Sequence, residues 1–258
     1  MISNMRCFLE IIRKEIYLFF KEFISRFIDI SIILATNVIV FGYLMAGVGI
    51  KVNYGSIILV GAIASFGLFE TIGKATYLAQ DVTDKKISNF LILPISSSYV
   101  FIAIAISWAI CTSMLSLCLF PIGKLILWNN LDLSNFSFFK FILIFSTGNL
   151  FYGFFSLWIS SLVMNLRNVS WLWCRIINPL FMFCGYYYSW RAVYNLSHLI
   201  AYFHFVNPLL YILEATKASV LGQGEYLPFW ICCCMLWLFI GIFAFDAVRR
   251  FRKRLDFI

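Results

Sequence analysis

The sequence predicts an all-α polytopic membrane protein, with six transmembrane helices, an N-terminal interfacial amphipathic helix and two short re-entrant helices before the last span. Three observations predict it. The composition is 62% hydrophobic and only 12% charged, with a mean hydropathy of +0.91, whereas a soluble domain carries about 25% charged residues. So little charge cannot cover a globule's surface, but it suits a surface covered by lipid. The apolar residues fall into six long stretches, and the basic residues gather on one side of them. Residues 1–258 form one transmembrane domain on this reading.

The first element is residues 1–26. Leu9, Ile12, Ile16, Phe19, Phe20, Phe23 and Phe27 make one helical stripe, and Arg6, Glu10, Arg13, Lys14 and Lys21 lie opposite. That pattern predicts a helix lying in the cytoplasmic interface and leading into span 1. The alternative is a cytoplasmic extension of span 1. The segment is too charged for a cleavable signal peptide, which needs an uninterrupted apolar core.

The six spans are expected at 27–50, 56–80, 97–120, 138–164, 169–187 and 228–246. Each approaches the roughly 20 apolar residues that cross a core about 30 Å thick. Helices are expected because backbone facing lipid must satisfy its own hydrogen bonds. The runs do not alternate as barrel strands do.

Lys and Arg set the orientation. Thirteen lie in the N-terminal segment, the loops after spans 2 and 4, and the tail; five lie on the other side, at Lys51, Lys124, Lys140, Arg191 and Lys217. Both termini are therefore expected in the cytoplasm, in a bacterial-type inner membrane. Lys217 is expected on the external side or in the outer leaflet. The basic tail anchors topology near anionic lipid and does not point to nucleic acid.

No HExxH, GxSxG or Walker A motif is present, so a catalytic site and bound cofactors are not expected in this chain. Gly67–Ala75 approaches a phosphate loop, but it has five residues between its glycines and Ala after its Lys. His198 and His204 are six residues apart and do not share a helical face, so no metal site is expected. The eight cysteines read as small apolar packing residues.

Two connecting segments carry information. Residues 81–95, between spans 2 and 3, begin with Asp81 and Asp84, which suit a helix N-terminus. Lys85 and Lys86 follow, then Ile87, Phe90, Leu91 and Leu93, and Pro94 stops the helix. Such a helix could dock on a partner, or be an ordinary interfacial turn. Residues 188–227 are external by position yet largely apolar, with Tyr188, Trp190, Tyr194, Tyr202, Phe203 and Phe205. Two short helices dipping into the outer leaflet fit, since protein can shelter their backbone.

Together these segments resemble the permease subunit of an ATP-binding-cassette exporter of the polysaccharide-, lipid- and drug-export family. The resemblance extends over nearly the whole chain. One motif runs from Gly61 through Asp81, Lys85, Lys86 and Leu91 to Leu93-Pro94-Ile95-Ser96. The other is Pro179…Gly185, then Asn207-Pro208-Leu209…Glu214-Ala215…Lys217, with lysine where the family has arginine. The resemblance implies two paired permeases, a homodimer or a pair with a related permease. A separate cytoplasmic ABC ATPase would drive them and bind the ATP and Mg. Asp81, Asp84, Lys85, Lys86, Phe90, Leu91 and Pro94 would form the coupling interface. The re-entrant helices would close the outer end.

Glu70 and Lys74 are i, i+4 in span 2 and are expected to pair within the membrane, as a structural pair or in the pathway. Asp246, at the end of span 6, is expected to contact the basic tail. Residues 21–44 lack the aromatic passage of polysaccharide exporters. The expected cargo is therefore a drug, lipid or lipid-linked amphiphile. A polysaccharide or glycolipid is the alternative. Readings from other classes are an ion-coupled secondary transporter and a membrane enzyme. The first would need an internal repeat and midplane ion ligands.

Overall fold

The computed structural model describes residues 2–45, 48, 54–83, 96–128, 131–163 and 169–255, and these contain helices and no strand. Helix α1 is Ile2–Ile39, continued by a π-helical turn at Val40–Leu44. Helices α2 (Tyr54–Thr83), α3 (Ser97–Leu127) and α4 (Phe138–Leu162) follow. The stretch α5 joins Val169–Leu172, a π-helical turn Trp173–Ile177, and Asn178–Met182. Then come α6 (Trp190–Leu196), α7 (His198–Phe203 with a 3-10 turn His204–Val206), α8 (Pro208–Leu221) and α9 (Phe229–Leu255).

Among the described residues, five helices are long and apolar enough to cross a membrane, α1, α2, α3, α4 and α9, or six if the bent pair α7–α8, whose axes turn by 103°, is counted as one crossing. The span expected at 169–187 is helical from Val169 to Met182, about 21 Å at 1.5 Å per residue, with a π-helical turn at Trp173–Ile177, and residues 164–168 before it lie outside the described residues. Phe181–Tyr187 is apolar enough to continue, but Gly185 takes φ +81° and turns the chain.

Residues 2–26 are helical and lead into the first span without a break, α1 running on through its π-helical turn to Leu44. Its buried face is Ile11, Phe19, Ile30, Leu34 and Val38, whereas Leu9 and Phe20 are exposed. The N-terminal half packs on protein as well as facing outward, and contact with the other helices sets which face is covered. Helix α1 packs chiefly along α3.

Helix α4 sits at the centre, against α2, α3, α8 and α9. Small residues allow close approach, since lipid offers little drive for helices to associate. A Cβ on Gly153 would stand 2.3 Å from the Ala105 carbonyl oxygen, and one on Gly55 2.7 Å from the Gly42 Cα. Hydroxyls link the helices. Ser156 donates to Thr71 at 2.8 Å, and Tyr152 donates to the Ala64 carbonyl at 3.0 Å.

The basic end of α9 packs beside the start of α3, where Phe101 and Phe251 stack at 4.2 Å. There Asp246 accepts from Arg250 at 2.6 Å, as the sequence predicted for the tail, and also from the Trp158 indole at 2.7 Å. At the opposite end, Lys124 caps the Leu131 carbonyl at 2.9 Å and the Tyr43 hydroxyl reaches the Ile126 carbonyl at 2.6 Å.

Candidate functional site

The most organised polar cluster is built around α8. Asn207 caps the helix by accepting from the Leu209 N–H at 3.0 Å, and Pro208 occupies its first turn. The same Asn207 amide donates to the Leu180 carbonyl at 2.6 Å, tying the bend between α7 and α8 to α5. From Pro208 to Val220 every residue of α8 is buried.

Two charges lie on this helix, both fully buried. The Glu214 carboxylate accepts from the Trp190 N–H at 2.9 Å and from the Leu227 N–H at 3.1 Å. The Lys217 ammonium donates to the carbonyls of Gly185 at 2.5 Å, Tyr188 at 3.0 Å and Tyr186 at 3.4 Å. An ammonium has three donors, and here each meets a backbone oxygen. Lys217 is thus enclosed by protein. Its partners are carbonyls that the turn at Gly185 leaves free of a helix. Together the two side chains join α8 to residues 185–190 and to the loop before α9.

The surrounding aromatics serve the same clamp. The Trp190 indole donates to the Ala201 carbonyl at 2.9 Å. His204 is buried, with Nδ1 2.7 Å from the Ile200 carbonyl and Nε2 2.9 Å from the Tyr188 hydroxyl. The carbonyl assigns a proton to Nδ1, and the Tyr188 hydroxyl also lies 3.2 Å from the Met182 carbonyl. Arg191 donates to the Gly224 carbonyl at 2.9 Å, bringing the start of α6 beside the end of α8.

The expected Glu70–Lys74 pair is not what forms. Glu70 bonds Arg26 of α1, which also holds Glu22 at 2.7 Å. A guanidinium fork can engage two carboxylates at once, which a lysine does less well. Lys74 instead lies over the Phe19 ring, 5.2 Å from its centre. In the sequence Arg26 reads only as a topology anchor. Its partner lies 44 residues away, beyond any local pattern.

Between α1, α2 and the end of α5 lies a cavity of about 400 Å³, lined by Leu34, Asn37, Ser65, Phe66, Phe181 and Tyr187 among others. A mostly apolar wall with a few polar groups suits an amphiphile. Of the coupling residues, Asp81 lies in the last turn of α2 and lines a second, charged cavity. Asp84, Lys85, Lys86, Phe90, Leu91 and Pro94 lie outside the described residues. Among the described residues no group of three His, Cys, Asp or Glu side chains is placed to hold a metal. Compared with protein families and curated proteins, the chain matches no family model and no curated sequence.

Proposed function

We propose that the chain is the membrane-spanning subunit of an ATP-driven exporter for an amphipathic cargo, such as a drug, lipid or lipid-linked molecule, with ATP hydrolysed by a separate cytoplasmic subunit. The observation that carries this reading is the α7–α8 hairpin, whose α8 arm is buried. The Asn207–Lys217 motif that resembles the exporter family is the same segment that bends by 103° and carries Glu214 and Lys217. The neighbouring chain ends meet at Arg191 and Gly224, as a re-entrant element dipping from one side requires. In this reading the hairpin closes the outer end of the pathway, and the apolar cavity beside α1, α2 and α5 receives part of the cargo. A second copy of the chain completes the pathway, and both termini face the cytoplasm.

Energy enters through residues 81–95. Losing a buried apolar anchor from an interface costs on the order of 2 kcal/mol, roughly thirty-fold in affinity. Phe90→Ala and Asp84→Lys are therefore expected to insert normally but to lose bound ATPase or cargo-stimulated turnover. Asp132→Lys, at the opposite end, should leave ATPase association intact. Wild-type turnover in the Phe90 and Asp84 variants would remove this segment from the mechanism.

The chain has no phosphate-cradling loop. The purified, partner-free protein is expected to bind no ATP by equilibrium dialysis, and stoichiometric binding would contradict the division of labour.

Orientation is tested by cysteine labelling in intact cells. A cysteine at position 225, which is exposed, should react with an impermeant maleimide, and one at position 85 should not. The reverse pattern would invert the topology.

A further inference from the structure

A second cavity, of about 320 Å³, lies in the wedge between the N-terminal half of α1, the Thr83 end of α2 and the Ser97 end of α3. Leu18, Phe19, Leu78 and Ile104 give it an apolar floor. Its walls carry three cations, Lys21, Arg26 and Lys74, and three anions, Glu15, Glu22 and Asp81. Arg26 is already engaged by Glu22 and Glu70. Lys21, Lys74, Glu15 and Asp81 form no ion pair among the described residues. The two lysines instead lie over aromatic rings, Lys21 over Tyr17 at 5.0 Å and Lys74 over Phe19 at 5.2 Å.

The second observation is Trp108. Its ring lines the same cavity and is 4% exposed. Its indole N–H donates to no acceptor among the described residues and is not fully buried. Trp158 and Trp190 both place their indole N–H on a protein oxygen. A nearly buried residue of the cavity wall whose donor lacks a protein acceptor calls for one from a ligand or water.

We propose that this cavity seats the headgroup of a zwitterionic phospholipid, a phosphoethanolamine ester. The phosphate oxygens accept from the Lys74 ammonium and the Trp108 indole. The ligand ammonium faces Asp81 and Glu15, and the acyl chains leave across Leu18 and Tyr77, which are exposed. Two open cations against two open anions match a ligand carrying both charges. A purely anionic headgroup would face the carboxylates, and a choline headgroup has no N–H to donate to them. The position also fits. Helix α2 has 30 residues, about 45 Å, against a core of about 30 Å. Lys74 lies some two and a half turns, about 14 Å, from the Thr83 end of that helix, from where its long side chain can extend toward the headgroup layer. This assignment rests on the membrane embedding of the chain and not on the ATP-driven reading.

Native mass spectrometry of the full chain, released from detergent with equal phosphatidylethanolamine, phosphatidylcholine and phosphatidylglycerol, tests it. A parallel sample receives water-soluble glycerophosphoethanolamine. One phosphatidylethanolamine per chain should be retained in preference to the other two lipids. Lys74→Gln and the nearly isosteric Trp108→Phe should each lower that retention roughly tenfold, the loss expected for a charge-assisted or buried hydrogen bond. Asp81→Asn should shift preference toward phosphatidylglycerol, a change that mere loss of packing would not produce. Lys140→Gln, at the other end, should bind as wild type, and all variants should keep the wild-type unfolding midpoint. Equal retention of the three lipids by the wild-type chain would overturn the proposal. So would unchanged retention in Lys74→Gln or Trp108→Phe, or retention of the soluble ester without the lipid.

Discussion

Lys217→Met is expected to destabilise the protein severely. The methionine fills much the same volume but donates nothing. It would leave the carbonyls of Gly185, Tyr186 and Tyr188 without the ammonium, and would leave the buried Glu214 without a nearby positive charge. Removing one charge from a buried, hydrogen-bonded arrangement costs about 3–5 kcal/mol, so the folded-to-unfolded ratio should fall roughly a hundredfold or more. Thermal unfolding of the detergent-solubilised protein would report this as a lower midpoint. Lys217→Arg retains charge and donors and should lose much less. A Lys217→Met protein with the wild-type midpoint would show that the clamp contributes nothing to stability. Glu214→Ala should behave similarly, because it strands the N–H groups of Trp190 and Leu227.

Gly153→Leu is the second large effect. A Cβ alone at this position would stand 2.3 Å from the Ala105 carbonyl oxygen, and the obstacle is backbone, which cannot swing aside as a side chain could. Helices α3 and α4 would have to separate. Overpacking typically costs about 1–3 kcal/mol and occasionally more, and here the separation also disturbs the centre of the bundle. Gly241→Leu is the control, because a Cβ there meets nothing within 4 Å. The expected result is a lowered unfolding midpoint and poor recovery in detergent for Gly153→Leu and little change for Gly241→Leu. Equal behaviour would mean that the close approach of α3 and α4 is unimportant.

Hydropathy locates α2, α3, α4 and α9 well, because a helix must be apolar over the stretch that meets lipid and each of these four carries such a stretch. It says less at 169–187, where length and composition look like one continuous span but the helix passes through a π-helical turn, ends at Met182 and turns at Gly185. A single positive φ leaves almost no trace in a hydropathy average. It also divides α1 in two, since an amphipathic stripe beside an apolar run reads the same whether the helix bends between them or continues. The contact of Asp246 with the tail is legible because Arg250 is one turn away. The Arg26–Glu70 pair is not, because its partners come from different helices. The burial of Lys217 is likewise not legible. A lysine in an external segment is ordinarily exposed, and its burial depends on three carbonyls whose availability is a property of backbone geometry. The motif around Asn207 marks the region correctly, while the role of its charged residues emerges only from the structure.

The most direct test of the exporter reading is ATP hydrolysis by material affinity-purified through this chain from its native membrane, compared with the same preparation from Asp84→Lys. Hydrolysis should co-elute with the wild-type chain, and nucleotide should crosslink to a second polypeptide, not to this one. The activity should be lost from the Asp84→Lys preparation while the chain remains folded. Purified wild-type protein without associated hydrolysis, or hydrolysis that persists unchanged in Asp84→Lys, would contradict the central claim.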